Sequence, residues 1–248
     1  MANSSSKQFL EDLLITPSPT GFEKAGVKVW KDYVDQFSDE VVTDAYGSAA
    51  GKINTSGDVA TVLLEAHCDE IGMVVQHISD QGFVYINKLG GSDSTIARAK
   101  KVFIHNKRGR VVGVIQVGDP ITYSSDLEYL NDDILTGRAL DNRIGGYIIA
   151  EALRKISERR KDLKVNVIAL NSVQEEVGGF GARMMSYRFM PDVALVTDVT
   201  HATDTPGIDQ KQHGTVEMGK GPAIQHGGAN HPKVVDFLEE VCSEAKID

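Results

Sequence analysis

The segment NSVQEEVGGFGA, Asn171 to Ala182, sets Glu175 and Glu176 side by side between an apolar run and a glycine-rich turn, where packing gives no reason for either. Three other segments carry groups able to do chemistry: His67 and Asp69 in EAHCDEIGMVV, Asp141 in TGRALDNRIGG and Asp198 in VTDVTHATDTPG. Several carboxylates gathered at one place do not all stay ionised at neutral pH without a cation, and one imidazole among carboxylate oxygens is a ligand set suited to Zn²⁺ or Co²⁺. Two such ions about 3.5 to 4 Å apart share a carboxylate and a bridging water, whose lowered pKa makes hydroxide available at neutral pH. One glutamate must then remain off the metal to take the proton.

The elements that would gather these groups are legible in the hydrophobic pattern. Phe9, Leu10, Leu13 and Leu14 recur at helical spacing before Pro17, Pro19 and Gly21 break the chain, and a second helix is expected over EKAGVKVWKDYVDQF. ATVLLEAHCDE reads as a buried strand ending at His67. Between residues 71 and 134 the texture becomes strand-like, in GMVVQHI, GFVYINKL, KVFIHN and RVVGVIQV, and suggests a small β-rich insertion. Alternation then resumes: a helix in IGGYIIAEALRKISERR, a strand in KVNVIALNSVQ, a helix in FGARMMSYRF, a strand in DVALVTDVT and a last helix in HPKVVDFLEEVCSEAK. In that last helix Val234, Leu238, Val241 and Ala245 form a stripe expected to pack on the sheet.

This pattern predicts an α/β fold with a mostly parallel sheet. His67, Glu175, Glu176 and Asp198 follow strand ends and Asp141 precedes a helix, so the groups converge at the carboxyl edge, where open α/β sheets bind ligands. The catalytic α/β domain would be discontinuous, over 1–70 and 135–248, with a barrel-like β domain inserted over 71–134.

Composition excludes other classes. A formal net charge of −9 over 248 residues argues against nucleic acid, which needs a basic stripe. No apolar run approaches the roughly 18 residues of a membrane span, and the amino terminus lacks a signal-peptide pattern, so the reading is cytoplasmic with no membrane partner. Cys68 and Cys242 are too few for a disulfide framework and neither reads as a nucleophile.

Each candidate also has a purely structural reading. His67 with Asp69 would be a hydrogen-bonded pair at a strand end, Asp141 a helix cap, Asp198 a turn cap, and the glutamates a solvated first helical turn. His77 and His105 read as ordinary surface or sheet residues, His201 sits beside Asp198, and His213, His226 and His231 lie in turns.

Taken in order, the four segments resemble the signature motifs of the glutamyl and deblocking aminopeptidases, co-catalytic metallopeptidases that build tetrahedral TET particles, some of them labelled endoglucanases. The resemblance runs from TPSPTGFE to GKGPAI, near Gly221. It implies that His67, Asp141 and Asp198 hold one ion, that Asp141 bridges to a second held by Glu176, and that Glu175 is the general base. Asp69 would orient the His67 imidazole. It further implies peptide substrates, two divalent ions, Zn or Co, and homo-oligomers built through the inserted β domain.

The family completes its second site with a histidine in a carboxyl-terminal segment resembling RYMHS, which does not occur before Asp248. The expectation is therefore one tightly held ion, a weak or empty second site and little turnover, with a truncated or non-catalytic member as the alternative. An endoglucanase would need two carboxyl groups about 5 to 9.5 Å apart on opposite sides of a glycosidic bond, for which adjacent glutamates are a poor fit.

Overall fold

A computed structural model describes residues 4–247 apart from 94, 96, 99, 107, 108, 111–115, 125, 126, 132 and 133. The chain divides into two compact units, Met1–Val199 and Thr200–Asp248.

In the first unit, helices α1 (Ser4–Ile15) and α2 (Lys24–Val34) precede the strands β1 (Glu40–Thr43), β2 (Ala49–Ile53) and β3 (Thr61–His67). A second group of strands follows: β4 (Gly72–Ile78), β5 (Val84–Leu89), β6 (Val102–Asn106), β7 (Gly109–Arg110), β8 (Pro120–Tyr123), β9 (Glu128–Leu130) and β10 (Ile134–Thr136). Then come α3 (Leu140–Ser157), β11 (Asn166–Ser172), α4 (Phe180–Phe189) and β12 (Val193–Val196).

The central sheet has the order β1-β2-β11-β3-β12. β11 and β12 flank β3 in parallel, with Ser172 opposite His67. β1, β2 and β11 pair antiparallel, so the sheet is mixed where the sequence pattern predicts a mostly parallel one. The physical reason is the turn between β1 and β2, where the Asp44 carboxylate accepts the N–H groups of Gly47 and Ser48 at 2.8 Å and closes a hairpin.

Helices cover both faces, as an amphipathic sheet requires. On one, Phe9, Leu13, Trp30, Val34, Ile149 and Leu153 from α1, α2 and α3 bury against Ile53, Ala66 and Val167. Trp30 sits there because its indole N–H finds the Gly146 carbonyl at 2.9 Å, satisfying its one polar atom inside the core. On the other face Met185 of α4 packs with Ala50, Leu63, Ile168 and Leu170.

Within residues 72–123 a separate antiparallel sheet has the order β5-β4-β8-β6-β7 and its own small core of Met73, Val75 and Ile121. GMVVQHI, GFVYINKL and KVFIHN all supply strands there, whereas most of RVVGVIQV lies outside the described residues. β9 and β10 form a two-stranded ribbon.

The second unit contains α5 (Gln210–His213) and α6 (Pro232–Ala245). The buried residue of α6 is Val235; Val241, in the stripe expected to pack, is 41% exposed. Among the described residues no helix is long and apolar enough to cross a membrane.

Candidate metal centre

Strand β3 delivers His67 at its carboxyl end, and the neighbouring parallel strands deliver the rest from the same edge. Glu175 follows β11, and Asp198 follows β12 by two residues. Asp141 lies in the first turn of α3 with a non-helical backbone (φ −81°, ψ 112°), which directs it away from the helix it would otherwise continue.

The buried imidazole of His67 is the hub. Its Nε2 lies 3.2 Å from Asp141 Oδ1, 3.7 Å from Glu175 Oε2 and 3.9 Å from Asp198 Oδ1. One ligand atom each from His67, Asp141 and Asp198 lies within 4.8 Å of the others, the one such trio among the described residues able to hold a metal ion. On the other side of the ring, Nδ1 lies 3.1 Å from the Asp69 carbonyl, which can only accept. Nδ1 therefore carries a proton, and Nε2 is the atom turned to the carboxylates.

Asp69 is fully buried and its carboxylate is shared. It lies 3.5 Å from His67 Nδ1 and accepts Thr20 Oγ1–H at 2.9 Å, the Glu175 N–H at 3.0 Å and the Glu176 N–H at 3.1 Å. Burial alone would raise its carboxyl, but His67 and these amides hold it below the usual carboxylate range.

The electrostatics are those of a site crowded with negative charge. Burial would push the His67 imidazole down; the Asp141 and Asp69 carboxylates overcome it and lift it to about 11. Burial and then the Asp141 charge push the Glu176 carboxyl up to about 7, and burial also raises Glu175, which faces Asp198, Asp69 and Asp141. The chain on its own resolves the conflict by keeping protons. A divalent cation among His67, Asp141 and Asp198 would resolve it without them, and this one-nitrogen, two-carboxylate donor set fits Zn²⁺ or Co²⁺.

The structure adds residues that the motifs did not single out. Glu70 is buried and pairs with both Arg138 and Arg143, and the buried Arg143 donates as well to the carbonyls of Cys68, Leu13, Leu14 and Thr16. These bonds pin the segment carrying Asp141 to the segment carrying His67. Burial works against the charge on Glu70, but the two guanidiniums hold its carboxyl below the usual range. Asn142 donates to the Thr197 carbonyl at 2.7 Å, tying Asp141 to the segment before Asp198. The available signal was Glu70 in one motif and two arginines flanking Asp141 in another.

Three of the other histidines make contacts of their own. His77 packs its ring on Tyr85, His105 bonds to Thr122 Oγ1 at 2.9 Å, and within the second unit His226 pairs with Glu239 at 3.0 Å. Cys68 is fully buried and burial pushes its thiol up to about 12, against a role as a nucleophile.

A family model described as M42 glutamyl aminopeptidase matches residues 47–117 and 115–248. The chain is 26% identical to the lysyl aminopeptidase of Pyrococcus furiosus over 97% of its own length and 79% of that protein. A TET aminopeptidase from a marine sediment archaeon, Thaumarchaeota archaeon SCGC AB-539-E09, superposes with a TM-score of 0.89 at 28% identity, covering 98% of this chain and 79% of the other. The TET1 peptidase of Pyrococcus horikoshii, which assembles into a tetrahedron or a large octahedral shell, superposes with a TM-score of 0.82 over 98% of this chain and 82% of its own; at 21% identity that likeness speaks to the fold.

Proposed function

The chain belongs to the M42 glutamyl aminopeptidase family and is a metallo-aminopeptidase hydrolase, and on that premise we propose that the cluster around His67 removes residues from the amino terminus of peptides. The observation that carries this is the convergence of His67, Asp141 and Asp198 within 4.8 Å, beside Glu175. In this reading His67, Asp141 and Asp198 hold one divalent ion, Zn²⁺ or Co²⁺, and Asp141 with Glu176 serves a second. Ions bound by these residues would supply an acidified water and a Lewis acid for the peptide carbonyl.

The remaining steps belong to the chain's own groups. Glu175 takes the proton of the attacking water and passes it to the leaving amine. Burial raises its carboxyl above the usual range, in the direction that favours its accepting a proton. Asp69 fixes the proton on His67 Nδ1 and anchors the amides of both glutamates. The surrounding carboxylates attract the α-ammonium of the substrate.

The antiparallel sheet within residues 71–134 is read as an inserted module for self-association, in line with the shells formed by the Pyrococcus horikoshii peptidase. The free thiols of Cys68 and Cys242 fit a cytoplasmic site of action.

Calorimetry with Zn²⁺ tests the centre. The parent chain is expected to bind and His67→Ala to lose the tight site; a His67→Ala chain that binds as tightly as the parent would show the ion is held elsewhere.

A further inference from the structure

Glu23 is a charged residue in an unexpected place. It directly precedes α2 and is only 4% exposed. Among the described residues it gives its own helix no side-chain cap. Its Oε1 instead accepts two backbone amides, Gly21 N–H at 2.7 Å and Gln174 N–H at 3.2 Å. The second of these reaches 151 residues along the chain to the turn that carries the two glutamates.

That turn requires holding. Gln174 has a φ of 58°, in the left-handed region that disfavours a residue with a Cβ. Its neighbours on the carboxyl side, Glu175 and Glu176, give their N–H groups to Asp69. Three consecutive amides, those of Gln174, Glu175 and Glu176, are thus accepted by two buried carboxylates, Glu23 on one side and Asp69 on the other. The segment bearing Glu23 is itself fastened to Asp69 and Glu70: Thr20 donates to the Asp69 carboxylate and Thr20 N–H to the Glu70 carbonyl at 3.1 Å, while Ser18 N–H reaches Glu70 Oε1 at 2.9 Å.

We infer that Glu23 is a positioning residue for the general base: its carboxylate holds the backbone of Gln174 and so aims Glu175 across the His67 cluster. The inference rests on the reading of Glu175 as that base. The role needs an acceptor oxygen at this point, whatever its charge. A misplacement of about 1 Å at a reacting group costs on the order of 10²-fold in rate.

The test compares Glu23→Gln with Glu23→Met, two uncharged side chains of similar length of which only the first keeps a carbonyl oxygen. With Zn²⁺ or Co²⁺ supplied, kcat, KM and bound metal are measured on a peptide substrate, with Glu175→Gln alongside. Glu23→Met is expected to lower kcat between about 10- and 100-fold with KM and tight-site metal little changed, and Glu23→Gln to restore most of the loss. Equal kcat for the two variants would overturn the inference while leaving the role of Glu175 intact. An active Glu175→Gln would instead overturn the reading beneath it. Should Glu23→Met fail to fold, hydrogen exchange of the parent chain decides: a protected Gln174 amide supports the bond to Glu23, and a freely exchanging one overturns it.

Discussion

Asp69 and Glu175 are joined by a 3.0 Å hydrogen bond from the backbone of the second to the carboxylate of the first, and the same carboxylate lies 3.5 Å from the His67 ring. One buried acid therefore sets both the imidazole and the turn that bears the glutamates. Asp69→Asn keeps the shape but presents an NH₂ where an acceptor is needed. It is expected to weaken metal binding about 10- to 100-fold, the usual effect of losing a partner behind a ligand, and to lower kcat as well. Calorimetry and steady-state kinetics on one preparation would show whether the two losses travel together.

Glu175 and Glu176 are adjacent, but Glu175 faces Asp198 while Glu176 lies against Gly90, so their amide variants should part ways. Glu175→Gln is expected to keep its metal and lose about 10²- to 10⁴-fold in kcat, the range for removing a general base. Any ion the second position holds is expected to be weakened or lost in Glu176→Gln. Metal analysis beside kinetics separates the two, and equal metal loss from both would contradict the division of roles.

Gly90 bears on the same point. It has a φ of 76°, and an added Cβ would stand 2.9 Å from Glu176 Cβ and 3.1 Å from Glu176 Oε2. Gly90→Ala would thus displace the Glu176 carboxylate and carry a backbone cost of about 1–2 kcal/mol. Its metal analysis is expected to resemble that of Glu176→Gln with a lower melting temperature; unchanged occupancy would show that the loop after β5 gives way instead.

The pH dependence of metal uptake has a definite sign. The Glu176 carboxyl, raised to about 7, and the imidazole, raised to about 11, both hold protons that a cation must displace. Affinity should climb as pH rises from about 6 to 8, with protons released on binding. Zn²⁺ titrations in buffers of different ionisation enthalpy would count those protons, and a pH-independent affinity would contradict the scheme.

Glu70 is shifted the other way, although its effect too is lost in acid. Its carboxyl is held below the ordinary range by Arg143 and Arg138, so the stabilisation it gives is present above its unfolded value and is lost as pH falls through the folded one. Glu70→Gln leaves the buried Arg143 without its counter-charge and should cost about 3–5 kcal/mol at neutral pH. Denaturant melts at pH 7 and pH 3 are expected to show the gap between parent and variant narrowing in acid.

The sequence pattern reached some of this structure and missed the rest for identifiable reasons. The strand ending at His67 and the helix over Phe180–Phe189 carry patterns strong enough to place their limits. The hairpin of β1 and β2 does not: EVVT and AAGKI are too short to show a period, and AAGKI carries two alanines and a glycine, and with them went the mixed character of the sheet. In the same way, the convergence of His67, Asp141 and Asp198 could be read because His67 and Asp198 follow strands and Asp141 sits at a helix start. Glu70 and Arg143 bind across 73 residues and Glu23 and Gln174 across 151, and nothing local marks one member of such a pair for the other. Glu23 in particular reads as an ordinary residue at a helix start.

The position of β3 between β11 and β12 has a consequence for biosynthesis. Both neighbours of this strand are made later than the strand itself, the last of them ending at Val196. While the ribosome is still short of that point, His67 is already outside with its strand unflanked, and a cation there would meet an imidazole but no cage. Native pairing of this kind, between distant segments, forms late and slowly. An ion held by His67, Asp141 and Asp198 would be captured only once this sheet is complete, and a nascent chain arrested before Asp198 would be expected to pass through a metal-rich medium without retaining any.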